Sequence, residues 1–409
     1  MKGAKAVGLV IGICGVGRFA RSFIPLFKAH PDVDEVVLAD VIPERAREQA
    51  DRFGVRRVLD SLDALCASDV DAIALFTQRH LHGPQTLQAL AAGKHVYAAV
   101  PIAQSLDEIR QIVDRVRESR LIYMTGETSY YYPAAIYCRE RHARGDFGHI
   151  FYGEAQYIHD MSHGFYEAFQ HSGGPDWKRV AGIPPMHYAT HSISMVLAVT
   201  GARVTHVSCL GWEDRHDDGI FRAGANLWNN PYSNQTALMR TSDGGMMRIN
   251  EFRRVGWSGG NSVHMSLYGT RGCFEEQANA QVWVGLDPAE MTDLTDLLRC
   301  RPNRPEGPAS PAGEFLGVCR VHPVERLPES FKGLPNGHYG SHQFLVDDFV
   351  KAVVSGKLPP NHVWDAAKYC APGLVAHESA QRGGTMLPVP DFGGPPPDWP
   401  LLYAPPGSV

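Results

Sequence analysis

Apolar positions follow two different periods along the chain, and the period changes near residue 127. In the first part, short apolar runs typical of buried strands alternate with stretches of helical period. The predicted strands are residues 6–13, 35–39, 72–76, 95–98 and 121–125, and the predicted helices include 21–30 and 84–92. Strands that alternate with helices in this way predict an α/β fold with a parallel, doubly wound sheet.

After residue 127, polar and apolar residues alternate with the period of two that is typical of half-exposed strands. A helix is predicted first, over residues 133–144, and the strands follow at 150–159, 204–210, 236–241, 245–252 and 263–269. Consecutive strands after an alternating half predict an open, largely antiparallel sheet. A later helix, over residues 341–355, carries an apolar stripe.

Two stretches rich in Pro and Gly, residues 301–337 and 388–409, are predicted to be surface loop and tail. We therefore divide the chain into a nucleotide-binding domain over 1–127, an α/β domain over 128–387 and a Pro-rich C-terminal tail over 388–409. The α/β domain is expected to bind the substrate and to carry the contacts of a homo-oligomer.

The length and net charge of the chain indicate which class of molecule it binds. The 409 residues suit two domains, and the net charge of -5 gives no basic field for nucleic acid. A small molecule is the expected partner.

The eight cysteines lack framework spacing and are predicted to be reduced, which favours the cytoplasm. The apolar N-terminus runs directly into a glycine-rich turn, so we interpret it as a strand and not as a signal peptide, and no apolar run is long enough to span a membrane.

The first predicted strand is followed by a G-x-G-x-x-A motif that opens a helix. Its residues are Gly15, Gly17, Arg18, Phe19 and Ala20. The glycines let the backbone approach a pyrophosphate, and the helix N-terminus attracts its charge, so the motif predicts a Rossmann domain. Asp40 ends the next strand, where a carboxylate bonds ribose hydroxyls and repels a 2′-phosphate, which predicts NAD as the cofactor. Arg45 is a candidate to stack on adenine. The alternative is a Rossmann domain that binds no nucleotide.

The segment over residues 93–101 resembles the GKHV..EKP segment of the Gfo/Idh/MocA oxidoreductases, except that Ala99 and Val100 replace Glu-Lys. A valine cannot accept a hydroxyl proton, so the acid/base group that this family usually carries here is missing. The segment over 77–82 resembles the TPNxxH loop of the same family, with Gln and Arg replacing Pro and Asn. The resemblance implies cofactor contacts from the following residues: Thr77, Arg79, His82 and Pro101.

Four polar positions in the second half change the functional picture. Three features carry a second resemblance: the segment GEAQYIHD, a Tyr-x-x-His at the start of an apolar helix, and a Glu after a strand. Together they resemble the NAD-dependent α-N-acetylgalactosaminidases, a glycosidase branch of that superfamily (glycoside hydrolase family 109). The resemblance implies that Glu127, Tyr157, His159 and His191 surround a sugar and the nicotinamide. Each of these residue types is more often structural when it occurs singly. Together, beside a missing lysine, they favour an active site.

Further side chains are candidates for substrate or metal contacts. Trp177, Lys178 and Arg179 lie in a predicted loop over 161–186 and could accept an anionic substituent, and Tyr339 is expected at a helix start that borders the cleft. His187 is a candidate substrate contact. Because His187 and His191 have the i, i+4 spacing of two ligands on one helical face, a metal site completed by His159 or Glu127 is an alternative.

The resemblance implies an NAD-dependent glycosidase or keto-sugar-processing enzyme that works on a carbohydrate or glycoside without net redox change. Hydride removal at C3 would acidify C2, a base would expel the C1 substituent, and water addition and re-reduction would follow. Tyr157 with His159 is the expected C2 base, His191 handles the C3 hydroxyl proton, and Glu127 orients sugar or nicotinamide. A sugar or polyol dehydrogenase with His191 as base and a non-catalytic nucleotide-binding protein are the alternatives.

Overall fold

The computed structural model describes residues 8–257, 262–303 and 313–404. Parts of three predicted segments lie outside these described residues. They are positions 6–7 of the first strand, positions 304–312 of the predicted surface loop and positions 405–409 of the predicted tail.

A six-stranded parallel sheet forms the N-terminal half. Its spatial order is β3-β2-β1-β4-β5-β6. The strands are β1 (Leu9–Cys14), β2 (Val33–Ala39), β3 (Arg57–Leu59), β4 (Ala72–Leu75), β5 (His95–Ala98) and β6 (Tyr123–Thr125). Strand order reverses between β1 and β4, and ligands of such sheets bind at the carboxyl ends of the strands beside this point.

Helices pack against this sheet. They are α1 (Ile24–Ala29), α2 (Pro43–Phe53), α3 (Leu62–Ala67), α4 (His82–Ala91) and α5 (Leu106–Ser119). The helix predicted over residues 21–30 is interrupted, because a 3₁₀ turn over Ala20–Ser22 precedes α1. The cause is Pro25, whose missing N–H prevents a helical hydrogen bond back to Arg21.

The C-terminal half is built on a nine-stranded sheet in the order β14-β13-β12-β11-β7-β10-β9-β8-β15. The strands are β7 (Ile150–Ile158), β8 (Val204–Glu213), β9 (Tyr232–Thr241), β10 (Met246–Phe252), β11 (Val263–Gly269), β12 (Gly272–Glu276), β13 (Gln281–Gly285), β14 (Thr292–Asp293) and β15 (Leu387–Pro388). Strands β7 and β10 are parallel, and the other neighbours are antiparallel. The predicted fold class, a Rossmann sheet plus a largely antiparallel sheet, is confirmed.

The helices of this half are α6 (Pro133–Ala143), α7 (Phe165–Gly173), α8 (Trp177–Ala181), α9 (Thr190–Thr200), α10 (Thr295–Leu298), α11 (Gly337–Ser355) and α12 (Val363–Gln381). Helix α9 lies close to the centre of the large sheet. A Cβ at Gly153 of β7 would lie 2.8 Å from Val196 of α9, so glycine permits this approach. The segment 161–186, expected as a loop, contains α7 and α8, because Phe169 and Ala181 pack into a small apolar cluster.

Parts of the segments predicted as surface loop and tail pack onto the body of the protein. Phe331 is fully buried, and the Trp399 side chain donates to the Gly356 carbonyl oxygen at 2.9 Å. β15 pairs with β8 across the proposed boundary at residue 387, and the boundary positions stay predictions. Proline limits ladder hydrogen bonding but does not prevent apolar burial. No helix within the described ranges is long and apolar enough to cross a membrane.

Candidate active site

A cavity of about 660 Å³ lies at the carboxyl ends of the parallel strands and extends to the large sheet. It brings together residues that the sequence predicted for cofactor and for catalysis. From the first group it is lined by Gly15, Gly17, Arg18, Phe19, Asp40, Arg45, Thr77, Arg79 and His82, and from the second by Tyr157, His159, His191 and Tyr339.

The glycine-rich turn after β1 forms one end of the cavity. Gly15 has φ +83°, and a Cβ there would lie 2.9 Å from the Thr77 backbone nitrogen. A Cβ at Gly17 would meet nothing within 4 Å, so this side of the turn faces open space. Ala20 is fully buried beneath the turn, where a small residue allows the helix to approach the strand. The turn therefore has the open backbone surface that a pyrophosphate requires.

Asp40 is held rigidly at the same end. Its Oδ2 accepts the Val16 N–H at 2.9 Å and its Oδ1 accepts the Ile42 N–H at 2.9 Å. Arg45 lies 3.5 Å from Oδ1 and donates to the His171 carbonyl oxygen at 3.2 Å. The structure thus pairs Arg45 with Asp40, and the adenine contact proposed for Arg45 stays a prediction.

His82 ties two segments of the cofactor end together. Its Nδ1 lies 2.9 Å from the Pro101 carbonyl oxygen and its Nε2 lies 3.1 Å from the Thr77 carbonyl oxygen. Burial lowers the pKa of His82 to about 4, so the ring is neutral and donates to one carbonyl at a time. His82 positions the Thr77 loop, and Pro101 lies behind the residues that line the cavity.

The opposite end is organised by an imidazole–carboxylate pair. His191, at the start of α9, has its Nδ1 2.6 Å from Oε1 of Glu127, which follows β6. The same oxygen accepts the Ser129 hydroxyl at 2.5 Å and the Ser129 N–H at 3.1 Å. Burial alone would lower the pKa of His191, but the adjacent Glu127 carboxylate outweighs it and raises that pKa to about 9. The Glu127 pKa is lowered, since His191 and Ser129 outweigh its burial.

The buried surroundings of the His191–Glu127 pair explain why the carboxylate raises the pKa of His191 so strongly. Glu127 is completely buried, and its Oε2 has no hydrogen-bond partner among the described residues. Ala99 and Val100, the replacements for Glu-Lys, line the cavity as apolar surface. His191 is therefore a cationic group beside this apolar surface at neutral pH.

Tyr157 and His159 line the cavity, but their protonation differs from the sequence-based expectation. Burial and the nearby Tyr188 raise the Tyr157 pKa, although the Arg253 guanidinium lies 4.7 Å from its ring centroid. Burial, with Arg253, lowers the pKa of His159 to about 4, and its ring stacks on Phe165 at 4.1 Å. His159 is thus neutral, so it does not act on Tyr157 as a cation, and the assignment of this pair as the C2 base stays a prediction.

A second tyrosine in the cavity, Tyr188, has the lowered pKa that a tyrosine base requires. Tyr188 lines the cavity with its ring centroid 5.3 Å from that of His191, and the Arg79 guanidinium lies 4.4 Å from the Tyr188 ring. Burial would raise the Tyr188 pKa, but Arg79 and His191 outweigh it and lower that pKa. The Tyr-x-x-His pattern contained Tyr188, but nothing in the local sequence indicated that Arg79 would lie against it.

A buried ion pair supports Tyr157 from the neighbouring strand. Glu251 is opposite Tyr157 in the β7–β10 register and accepts from Arg253 at 2.6 Å and from Ser192 at 2.5 Å. Burial raises the pKa of Glu251 to about 7 despite these donors. Sequence analysis missed Glu251 and Arg253, because only the strand register brings them beneath the tyrosine.

Four residues that the sequence predicted as substrate contacts lie outside the cavity lining. His187 belongs to a 3₁₀ turn over Pro185–Tyr188, its Nδ1 lies 3.1 Å from Gln104 Oε1, and its ring lies 5.1 Å from that of His377. It therefore does not share a helical face with His191, which removes the geometric basis of the metal alternative. The described cavity lining contains neither His187 nor the residues of α8 proposed for an anionic substituent, Trp177, Lys178 and Arg179.

Tyr339 reaches the cavity through an unusual turn. His338 and Tyr339 have φ of 48° and 53°, which is the left-handed region, and Gly340 follows at 83°. This backbone is costly for residues with a Cβ, so the packing around it must hold it in place. His338 also lines the cavity, and its Nδ1 lies 2.8 Å from Nε2 of His342.

The six-stranded sheet and this cavity have the arrangement of a Rossmann nucleotide-binding domain, and comparison with known proteins shows which family model that domain matches. Residues 9–127 match the family model GFO_IDH_MocA, the oxidoreductase family with an NAD-binding Rossmann fold. This part of the chain is an NAD-binding domain of the Gfo/Idh/MocA type, and the predicted resemblance and cofactor are confirmed.

Similar proteins extend the likeness to the whole chain. A glycosyl hydrolase family 109 protein from Streptomyces filamentosus is 24% identical over 93% of this chain and 77% of its own length. One from Saccharopolyspora erythraea is 24% identical over 93% of this chain and 83% of its own. A levoglucosan dehydrogenase solved with NADH and levoglucosan has a TM-score of 0.71 at 19% identity, covering 94% of this chain and all of that one.

Proposed function

We propose that this protein is an NAD-dependent glycosidase that cleaves a glycoside without net redox change. The observation that carries the proposal is the pair formed by His191, which lines the same cavity as Asp40 and Gly17, and the buried Glu127 behind it, 2.6 Å away. An acid/base pair is thereby available where Val100 provides none. The glycosyl hydrolase names of the full-length relatives support the glycosidase over a plain dehydrogenase.

The residues at the turn after β1 fit the cofactor. Gly17 leaves room for the pyrophosphate, and Asp40 presents a fixed carboxylate to a ribose. When bound, NAD supplies a reversible hydride acceptor for the sugar carbon C3.

In this proposal His191 moves the C3 hydroxyl proton. With a pKa of about 9, the imidazolium is its resting form at pH 7, and only about 1% of the ring is free to accept a proton. The rare neutral form is a strong base, and the imidazolium that results is the acid needed when the hydroxyl is restored. Glu127 keeps the ring oriented through Nδ1, so Nε2 is the nitrogen left for the substrate.

The second proton transfer, from C2, is assigned to Tyr188. Its lowered pKa makes the phenolate more accessible than that of Tyr157, whose pKa is raised. Once C3 is a ketone, the phenolate takes the C2 proton and the electrons of the C2–H bond form a C1=C2 double bond. The C1–O bond breaks, its electron pair leaves with the oxygen of the C1 substituent, and this oxygen takes a proton from water. Water then adds at C1, C2 regains a proton, and C3 is reduced again, so the net reaction is hydrolysis. Tyr157 donates a hydrogen bond to the sugar in this scheme.

The decisive experiment follows the cofactor and the C2 hydrogen together. The purified protein, charged with NAD, is incubated with a panel of aryl glycosides in heavy water. Glycoside cleavage with deuterium at C2 of the released sugar and no accumulation of NADH is the expected result. Stoichiometric NADH would support the dehydrogenase instead, and cleavage without deuterium at C2 would contradict the elimination mechanism.

A further inference from the structure

A group of soft ligand atoms lies outside the cavity lining. Cys300, Cys319 and His322 each offer one atom, and these atoms all lie within 4.8 Å of one another. Two backbone hydrogen bonds bring the two arms of the intervening loop side by side, Arg301 N to Val318 O at 2.9 Å and Gly317 N to Pro302 O at 3.0 Å. The thiols sit next to these bonds, one on each arm.

The hydrogen bonds of His322 fix which ring nitrogen is available. Its Nε2 lies 3.1 Å from the Tyr131 carbonyl oxygen, which can only accept, so Nε2 carries the proton. The lone pair therefore resides on Nδ1, 3.2 Å from Cys319 Sγ and 3.1 Å from the Cys319 backbone nitrogen that donates to it. A ring N–H given to a backbone carbonyl is the usual second interaction of a metal-binding histidine.

The environment suits a metal of the zinc class. Two donors on one tetrahedral zinc ion are about 3.5 to 3.8 Å apart, given Zn–S near 2.3 Å and Zn–N near 2.0 Å. Cys319 and His322 are buried, and Cys300 is half-buried, so a fourth position would open toward solvent.

The same arm packs against the left-handed turn that carries Tyr339 to the cavity. A Cβ at Gly340 would lie 2.7 Å from the Gly317 carbonyl oxygen and 3.1 Å from His322 Nε2. A Cβ at Gly317 would lie 2.1 Å from the Asn336 carbonyl oxygen. The arm and the turn are therefore in backbone contact, and whatever fixes the arm also supports the strained conformation of His338 and Tyr339.

We propose that Cys300, Cys319 and His322 bind a divalent metal ion of the zinc class, with water as a fourth ligand, as a structural clip behind the cavity. The ion would replace the hydrogen bond between the Cys319 N–H and His322 Nδ1. A disulfide between the two cysteines is the competing arrangement, and the mass measurement below distinguishes it from a metal site.

Metal binding is measured on the full-length protein without a histidine tag, purified from zinc-supplemented medium. Elemental analysis is expected to give about one zinc per chain. After chelation, cobalt(II) should restore one ion per chain and produce thiolate-to-cobalt charge-transfer absorption. Cys300→Ser, Cys319→Ser and His322→Gln should each lower the retained metal at least tenfold.

The matched control is Cys273→Ser, which removes a half-buried thiol on β12 and should keep the metal. Circular dichroism shows whether each variant folds, and Cys300→Ser, at the more exposed position, is the variant least likely to disturb folding. The proposal is overturned by a metal-free wild-type protein that shows no cobalt–thiolate absorption. It is equally overturned by an intact mass two hydrogens lower with a linked Cys300–Cys319 peptide. Neither readout depends on glycosidase activity.

Discussion

Two buried carboxylates stand at the two ends of the cavity, and both follow strands of the same parallel sheet. Asp40 follows β2 and receives two backbone N–H groups from nearby loops, whereas Glu127 follows β6 and receives a histidine from another element. The first pairing is local to the nucleotide fold. The second exists because α9 docks against the 3₁₀ turn over Thr128–Tyr131, which follows Glu127. Similar positions in one sheet thus give a carboxylate held by backbone amides at one end and a carboxylate paired with a histidine at the other.

The difference shows how the partner of a buried carboxylate determines its chemistry. The backbone amides fix the position of the Asp40 oxygens. His191 does titrate, and its pKa of about 9 depends on Glu127. Five experiments test whether the two ends of the cavity have these different roles, and they are ordered from the largest expected effect to the smallest.

Removing the proton-transfer group should have the largest effect. His191→Ala should lower kcat by about 10²- to 10⁴-fold, the usual contribution of a general acid–base group. NAD affinity, measured by fluorescence titration, should stay within about twofold because the two ends are separate. A variant that retains more than a tenth of the wild-type kcat would exclude His191 from proton transfer.

The two tyrosines are compared next as a matched pair. Tyr188→Phe should slow deuterium exchange at C2 by about 10²-fold or more, since it removes the assigned base. Tyr157→Phe removes one hydroxyl from the same cavity and should slow exchange about tenfold or less, the size of a lost hydrogen bond. Mass spectrometry of the released sugar measures both rates. Equal loss in the two variants would contradict the division of roles.

The charge coupling at Glu127 predicts a pH effect of known sign. A base whose pKa is raised is available only at higher pH, so the acidic limb of the wild-type kcat/KM profile should lie near pH 9. Glu127→Gln removes the carboxylate, and the His191 pKa should fall to about 6.5 or below because burial then dominates. The limb should move to lower pH by at least about two units. NMR titration of the His191 ring measures the same shift directly, with Glu44→Gln at an exposed site as the control.

At the other end, Asp40→Asn should change cofactor choice and leave the pH profile unchanged. Like charges near a 2′-phosphate cost about 1 to 3 kcal/mol, a preference for NAD of about tenfold to over a hundredfold. Asparagine removes the charge but keeps one acceptor for Val16 or Ile42, so the preference should largely disappear while NAD still binds. Equal wild-type affinities for NAD and NADP would remove Asp40 from this role.

The smallest effect is expected at Arg45. Its contact with Asp40 is 3.5 Å and partly open to solvent, and such ion pairs contribute at most about 1 kcal/mol. Arg45→Ala should therefore change NAD affinity by less than about fivefold. A larger loss, of about tenfold or more, would support the stacking of Arg45 on adenine.

Much of the cofactor end could be predicted from local patterns. The turn with Gly15 and Gly17, the carboxylate at Asp40 and the lining residue Thr77 all lie in the cavity as expected. Each of them follows a strand of the same sheet, so the chain order and the α/β rule already place them at one edge. The helix break before Pro25 is the main local feature that the pattern missed.

The catalytic end could be predicted only as a set of candidates. Glu127, His191 and Tyr157 do meet near one cavity wall, but His187 points to Gln104, and the proposed anion contacts on α8 lie outside the described lining. The spacing of His187 and His191 indicated one helical face, whereas the fold places a 3₁₀ turn and a helix there. Spacing predicts a shared face only if both residues belong to the same regular element.

The sequence by itself determined the fold class, the nucleotide turn and the absence of the usual lysine, because these depend on periodicity and on neighbours along the chain. The tertiary structure decided which side chain is charged. Arg79 approaches Tyr188 and Glu127 approaches His191, while burial leaves Tyr157 protonated and His159 neutral. A pKa is set by desolvation and by charges within a few ångströms, and those neighbours come from strands and helices that the local sequence does not reveal.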